Sequence, residues 1–139
     1  LREVKDKING SIMLITHDLG VIAEMVDFVV VMYAGRIIEK GTVQEIFHNP
    51  KHPYTVGLMK SRPGSHNITE DRLYSIKGQV PNPINMPNHC YFYNRCDKAM
   101  DICSREYPAM IRFSPTHFAA CHLYNEDGSD KSEEEKERR

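Results

Sequence analysis

The sequence predicts an α/β fold that is followed by a small, irregular α+β extension containing four cysteines. The run SIMLIT at 11–16 shows no alternation of apolar and polar residues, which is typical of a strand covered on both faces in a parallel sheet. Past Asn49 and Pro50 the chain becomes rich in proline and turn-forming residues. We therefore expect a sheet in the first part and mostly loops in the second.

The first part predicts helices and strands in alternation. A helix is expected to end near Gly10, and Asp18 is placed to cap a helix over LGVIAEMV. The runs FVVVMY and RIIEKG flank the tight-turn pair AG, which predicts a β-hairpin over 28–40. Thr42 and Glu45 have the spacing of a capping box that opens a short helix over VQEIFH.

The second part predicts short elements joined by long loops. Pro53 suits the first turn of a helix over YTVGLMKS, and RPGSHNITED is then typical of a linker. Closely spaced prolines favour an extended path for LYSIKGQVPNPINM, and MIRFS and HFAACHLY predict two short strands. The charged final segment is expected to be disordered. The predicted units are 1–49, the helix and linker 50–75, the cysteine module 76–124 and the tail 125–139.

Composition limits the class of protein. A chain of 139 residues has room for one ordinary domain or two small modules. Its net charge of -1 gives no basic field, so nucleic acid is not an expected partner. No apolar run approaches the roughly 20 residues of a membrane-spanning helix, and no signal peptide is apparent. We expect a cytosolic protein and the tail of a longer one.

His17 follows the predicted strand 11–16, at the edge of the sheet where α/β folds bind ligands. An imidazole there can donate a hydrogen bond to a phosphate oxygen. By position alone a surface histidine is an equally good interpretation, because seven histidines are scattered through the chain. Glu39 and Lys40 are expected on a solvated face of the hairpin.

The stretch from SIMLITHDLG through VVVMYAGRIIEKG to HNPKHPYTVGLM closely resembles the end of the nucleotide-binding domain of ABC transporters. More narrowly, it is similar to the ATP-binding subunits of oligopeptide and dipeptide importers. This resemblance implies the P-loop NTPase fold for the first part, with ATP and magnesium as cofactors of the full-length protein. It also implies that His17 is the switch histidine, which contacts the γ-phosphate of ATP.

The same resemblance implies the partners and location. They are a second ATP-binding subunit, membrane permease subunits and, indirectly, an extracytoplasmic peptide-binding protein, with the subunit at the cytoplasmic face of the membrane. The sequence contains no phosphate loop and no strand that ends in the Asp-Glu pair. We therefore expect this chain alone to be inactive, as the C-terminal portion of a subunit that hydrolyses ATP. The sequence does not distinguish oligopeptide, dipeptide, nickel or another cargo.

Four cysteines lie downstream, at Cys90, Cys96, Cys103 and Cys121. In a reducing compartment such thiols bind metal or stay free more often than they form disulfides. Zinc modules usually contain cysteines as C-x₂₋₄-C pairs, and the absence of such pairs here counts against zinc. An iron–sulfur cluster, zinc and metal-free cysteines remain as alternatives. His89 and His122, each beside a cysteine, are further candidate ligands.

The importer resemblance extends over this module, from YSIKGQVPNPINMPNHCYFYNRC to HFAACHLY. It implies that the four cysteines are ligands of a [4Fe-4S] cluster, although Lys77, Asn94 and the pair at 88–89 depart from the family's pattern of rigid turn residues. The function implied first is that of the subunit that powers peptide import. The alternative is an iron–sulfur or zinc module with a structural or regulatory role; an interaction domain without chemistry is the third candidate.

Overall fold

The computed structural model describes residues 3, 7, 10–61 and 75–131. Over these ranges the chain forms three short α-helices, one sheet and two 3-10 turns. The helices are α1 (Leu19–Met25), α2 (Val43–His48) and α3 (Pro53–Lys60). The strands are β1 (Phe28–Tyr33), β2 (Arg36–Thr42), β3 (Met110–Arg112) and β4 (Phe118–Ala120). The 3-10 turns are Tyr93–Arg95 and Asp101–Ser104.

The sheet is antiparallel, with strand order β1-β2-β4-β3. Strand β2 of the hairpin pairs with β4 of the cysteine module, at Glu39 opposite Ala119 and Lys40 opposite Phe118. One sheet therefore contains strands from both of the units that the sequence predicts at 1–49 and 76–124.

The β1–β2 hairpin forms as predicted around a two-residue turn. Ala34 has φ 46° and Gly35 has φ 80°, the left-handed geometry that a two-residue hairpin loop requires. Strand β1 buries alternate side chains, as expected for a sheet with one covered face. The hairpin therefore presents one face to the core.

The core of the chain lies between that hairpin face and the cysteine module. Phe92, from the segment between the first two cysteines, is buried against Tyr33 of β1, with ring centroids 5.3 Å apart. Tyr54 of α3 lies 4.8 Å from Tyr33 and 5.5 Å from Phe92 by the same measure. Aromatic contacts of this kind stabilise packing beyond the area they bury. The core is therefore shared between the hairpin, α3 and the cysteine segment.

The predicted helix starts are confirmed. The side chain of Asp18 accepts hydrogen bonds from the amides of Gly20 and Val21 at the start of α1. Thr42 and Glu45 form the reciprocal capping box of α2. Each cap satisfies amide groups that have no partner within the helix.

The predicted buried strand at 11–16 is wrong for the described structure. These residues form no strand, and Met13 and Ile15 are 87% and 90% exposed. The reason is that a buried parallel strand needs neighbours on both sides, and nothing in the described ranges pairs with this segment. The helix expected to end near Gly10 lies outside the described residues, apart from Glu3 and Lys7, which are helical.

Residues 125–131 are the part of the expected disordered tail that the structure describes. Tyr124 and Asp130 form a β-bridge, and the amide of Lys131 donates to the carbonyl oxygen of Leu123. Residues 125–131 therefore form an ordered turn, while 132–139 lie outside the described residues, as does the linker predicted at 62–71. None of the helices in the described portion of the chain has the length and apolar character needed to cross a membrane.

Candidate functional site

The four cysteines flank the short turns of the module and the end of β4. Cys90 and Cys96 lie on either side of the Tyr93–Arg95 turn, Cys103 lies in the second turn, and Cys121 directly follows β4. All four are free thiols. Cys103 and Cys121 are buried, and the other two are half-buried. The amide of Cys90 donates to the carbonyl oxygen of Cys103 at 2.9 Å. This bond joins the two ends of residues 90–103, which we call the cysteine loop.

Backbone amides donate to three of the four sulfur atoms. The donors to Cys90 include Phe92, two residues further along the chain. Lys98 donates to Cys96, and Leu123 donates to Cys121, again from two residues ahead. Hydrogen bonds of this kind favour a charged sulfur and tune metal-bound thiolates. The local turns therefore provide donors that a thiolate ligand would use.

Burial acts against the charged form of the same thiols. Removal from water raises the pKa of Cys90 to about 11 and that of Cys121 to about 12, and it also raises the pKa of Cys96. A second cause is repulsion between the cysteines, since Cys103 raises the pKa of each of the other three. Burial and mutual repulsion therefore both disfavour the thiolate form of these cysteines.

The cysteines fit a metal or cluster by their chemistry but not by their arrangement. Four thiols are the donor set of a cubane cluster and one of the donor sets of structural zinc. Across 10–61 and 75–131, however, no three His, Cys, Asp or Glu side chains are arranged so that they could hold a metal ion. The candidate ligand His89 bonds the carbonyl oxygen of Cys90 through Nδ1, and His122 bonds that of Glu106 through Nε2.

His17 lies exposed at the end of the segment 11–16, directly before the helix cap Asp18. The helix that follows it forms as predicted, whereas the strand expected to precede it does not form in the described residues, so the expected sheet edge beside His17 is missing. The prediction that Glu39 lies on a solvated face of the hairpin is wrong, because its side chain is 0% exposed.

Glu39 is a buried acceptor that the sequence did not reveal. Its Oε1 accepts from the amide of Lys51 at 2.7 Å and lies 2.7 Å from His117 Nε2, and its Oε2 accepts from the amide of His52 at 2.9 Å. An irregularity in the β1–β2 register between Val31 and Met32 accompanies burial of two successive residues of β2, Ile38 and Glu39. Simple alternation along β2 therefore misplaces this carboxylate.

Glu45 makes a second connection between the hairpin region and the module. Beyond its capping-box bonds, it accepts hydrogen bonds from the hydroxyl groups of Ser114 and Thr116. These bonds, that of Ser114 first, lower the pKa of Glu45 to about 2. The spacing of Thr42 and Glu45 predicted the helix cap but not the hydrogen bonds from Ser114 and Thr116, which lie 69 and 71 residues from Glu45.

Two arginines make further contacts between the hairpin and the cysteine module. Arg95, next to Cys96, donates to the carbonyl oxygens of Lys77 and Ile76 and to the hydroxyl of Tyr33. At the hairpin tip, the guanidinium of Arg36 lies over the rings of Tyr91 and Tyr107, 5.7 and 5.0 Å from their centroids. The contacts of Arg95 are therefore with the hairpin and with the segment that precedes the cysteines.

Comparison with known proteins shows what this chain is similar to. Residues 38–103, from β2 to the third cysteine, match the family described as the oligopeptide/dipeptide transporter, C-terminal region. The matched residues include the hairpin strand, α3 and three of the four cysteines.

Individual relatives match over more of the chain. The oligopeptide transport ATP-binding protein AppD of Bacillus subtilis is 44% identical over 95% of this chain and 40% of its own length. The dipeptide transport ATP-binding protein DppD of Lactococcus lactis is 49% identical over 88% of this chain and 35% of its own length. The oligopeptide transport ATP-binding protein OppD of B. subtilis is 43% identical over 91% of this chain and 36% of its own length. The chain thus spans 40% or less of the length of these relatives.

Proposed function

We propose that this chain is part of the ATP-binding subunit of an ABC importer for oligopeptides or dipeptides, in which ATP hydrolysis by the full-length subunit powers transport. The observation that supports this proposal most is the match of nearly the whole chain to ATP-binding proteins of peptide transport. The partners are then a second ATP-binding subunit, membrane permease subunits and an extracytoplasmic peptide-binding protein. The subunit works with Mg-ATP at the cytoplasmic face of the membrane.

In this function His17 is the switch histidine that contacts the γ-phosphate. Its exposed position before a capped helix leaves the imidazole open to such a contact. A single donor to the transferring phosphoryl group contributes about 10²- to 10³-fold to the rate, because it acts on charge that develops in the transition state.

The test is His17→Ala in a full-length subunit that contains this chain. ATP hydrolysis should fall by about a hundredfold or more while nucleotide binding is retained. His48→Ala is the matched control, since His48 is also an exposed histidine and lies in the last turn of α2. Equal hydrolysis by the two variants would contradict the assignment of His17.

A second candidate function concerns the cysteines, which we propose as ligands of a [4Fe-4S] cluster, or of zinc, with a structural or regulatory role. The specific support is the set of backbone amides that donate to the sulfur atoms of Cys90, Cys96 and Cys121. When bound, either group would neutralise and cross-link the thiolates. Among the described residues no three such side chains are arranged to hold an ion, so binding of either group requires the cysteines to rearrange.

The corresponding measurement is iron, sulfide and zinc content per chain, on protein purified without oxygen. Cys121→Ser should reduce the content of whichever metal is present, whereas Ser104→Ala, an exposed position next to Cys103, should not. Colourless protein that contains neither iron nor zinc would exclude this second function without affecting the first.

A further inference from the structure

The ends of the cysteine loop are held together by the backbone itself. The amide of Cys90 donates to the carbonyl oxygen of Cys103 at 2.9 Å, across the twelve residues between them. A direct peptide hydrogen bond brings the two Cα atoms to within about 7 Å of each other, because each Cα lies only one or two covalent bonds from the hydrogen-bonded atoms. A disulfide requires about 4.4–6.8 Å between its Cα atoms. This pair therefore already has a backbone separation suited to a covalent bond.

The other cysteines lack such a constraint in the described hydrogen bonds. The backbone of Cys96 bonds locally, from its amide to Tyr93 and from its carbonyl oxygen to Ala99. Cys121 lies at the end of β4, whose partners are β2 and β3 rather than the cysteine loop. Sequence distance alone would instead favour Cys96 as the partner of either neighbour, because it closes a shorter loop.

Exposure differs in a way that assigns a role to each member of the pair. Cys90 is half-buried and can be reached by a small oxidant, whereas Cys103 is buried beside it. We propose that Cys90 and Cys103 form a disulfide on oxidation when the module carries no metal. This property goes beyond the importer function and does not depend on it.

The chemistry balances with a peroxide as oxidant. The sulfur of Cys90 attacks one oxygen of hydrogen peroxide, the O–O bond breaks, and a sulfenic acid and a water molecule form. The sulfur of Cys103 then attacks that of Cys90, the S–O bond breaks, and the S–S bond forms as a second water leaves. Two thiols lose two electrons in total, and one peroxide is reduced to two waters. The disulfide then links the same two residues that the backbone hydrogen bond already joins.

The test maps disulfides in the full chain after metal is removed with a chelator and hydrogen peroxide is added. Non-reducing digestion and mass spectrometry should find the Cys90–Cys103 crosslink in about tenfold excess over any other pair. The same oxidation in concentrated urea provides the unfolded reference. There the shorter Cys90–Cys96 and Cys96–Cys103 loops should each form roughly threefold more often than Cys90–Cys103.

Single variants give a second readout. Cys96→Ser should retain the crosslink, whereas Cys90→Ser should abolish it and leave Cys103 reduced. The inference is overturned if the native chain forms no disulfide, if another pair dominates, or if the native and urea patterns agree. Metal content is measured before the chelator is added, so a failure here is distinguishable from failure of the cluster proposal.

Discussion

His117 Nε2 lies 2.7 Å from Oε1 of Glu39, and the two side chains are only 2% and 0% exposed. Glu39 belongs to β2 of the hairpin, whereas His117 directly precedes β4 of the cysteine module. The same carboxylate accepts the amides of Lys51 and His52 at the start of α3. This one side chain therefore connects the hairpin, the start of α3 and the cysteine module.

Removal of the Glu39 carboxylate should destabilise the chain severely. In Glu39→Ala, two amides and His117 lose their acceptor in a buried site, so the free energy of unfolding should fall by about 3–5 kcal/mol. Urea denaturation followed by circular dichroism measures this change. Glu106→Ala, at an exposed glutamate, should change it by less than about 0.5 kcal/mol. Similar small losses in both variants would contradict the role given to Glu39.

Signals that act over a few residues allowed the corresponding elements to be predicted. The Asp18 cap, the capping box of α2 and the hairpin turn each depend on hydrogen bonds or φ angles within four residues. Such elements form from their own sequence, so pattern and residue type identify them. The short strands within MIRFS and HFAACHLY were likewise expected.

Contacts between residues that are far apart in sequence could not be predicted from such local patterns. The burial of Glu39 depends on a histidine 78 residues away, and the pairing of β2 with β4 joins segments that the sequence assigns to separate units. The segment 11–16 has the composition of a buried strand, yet its state depends on neighbours that the described residues do not supply. For the candidate site, the sequence pointed to the cysteines but not to their arrangement, in which no three metal-binding side chains of the described residues could hold an ion.

The Glu45 network predicts how stability depends on acid pH. The folded-state pKa of Glu45, about 2, is below its ordinary value of 4.5, so folding favours the charged form. This contribution is fully present above pH 4.5 and is lost as the pH falls towards 2. Urea midpoints measured from pH 7 to 2 should therefore decline less steeply in Glu45→Gln than in the parent chain.

Ser114 offers an independent check on the same network. Its hydroxyl is the largest cause of the lowered pKa, so in Ser114→Ala the acid-induced loss of stability should be smaller and should be complete at a higher pH. Ser104→Ala, at an exposed serine that bonds only the carbonyl oxygen of Asp101 among the described contacts, is the matched control. If Ser114→Ala and Ser104→Ala gave the same pH profile, the hydrogen bonds to Glu45 would not set its pKa.

Arg95 should be intolerant even of lysine. Its guanidinium donates to two carbonyl oxygens and one tyrosine hydroxyl, a forked geometry that a lysine ammonium cannot reproduce. Arg95→Lys should lower stability by about 1–3 kcal/mol and speed hydrogen exchange in 75–78. Arg105→Lys, at an exposed ion pair with Asp101, should have almost no effect. Unchanged exchange in Arg95→Lys would mean that the segment is held by other contacts.

The hairpin turn can be improved by one substitution. Ala34 has φ 46°, a left-handed conformation that is costly for alanine and much easier for asparagine. Ala34→Asn should raise stability by about 0.5–1 kcal/mol, which thermal melting at neutral pH would detect. Ala109→Asn is the control, since Ala109 is exposed and has no positive φ. A gain at both positions would indicate a surface effect unrelated to the turn.

Exposure of the segment 11–16 predicts self-association of this chain in isolation. Met13 and Ile15 are 87% and 90% exposed, and neighbouring apolar side chains extend the patch. Contiguous apolar surface of this kind promotes association, because burial removes it from water. Sedimentation velocity should show oligomers that increase with protein concentration, and the double substitution Met13→Lys and Ile15→Lys should shift the population towards monomer. Val80→Lys, at an exposed apolar side chain elsewhere, should leave the distribution unchanged. A chain that stays monomeric at every concentration would show that this surface does not drive association.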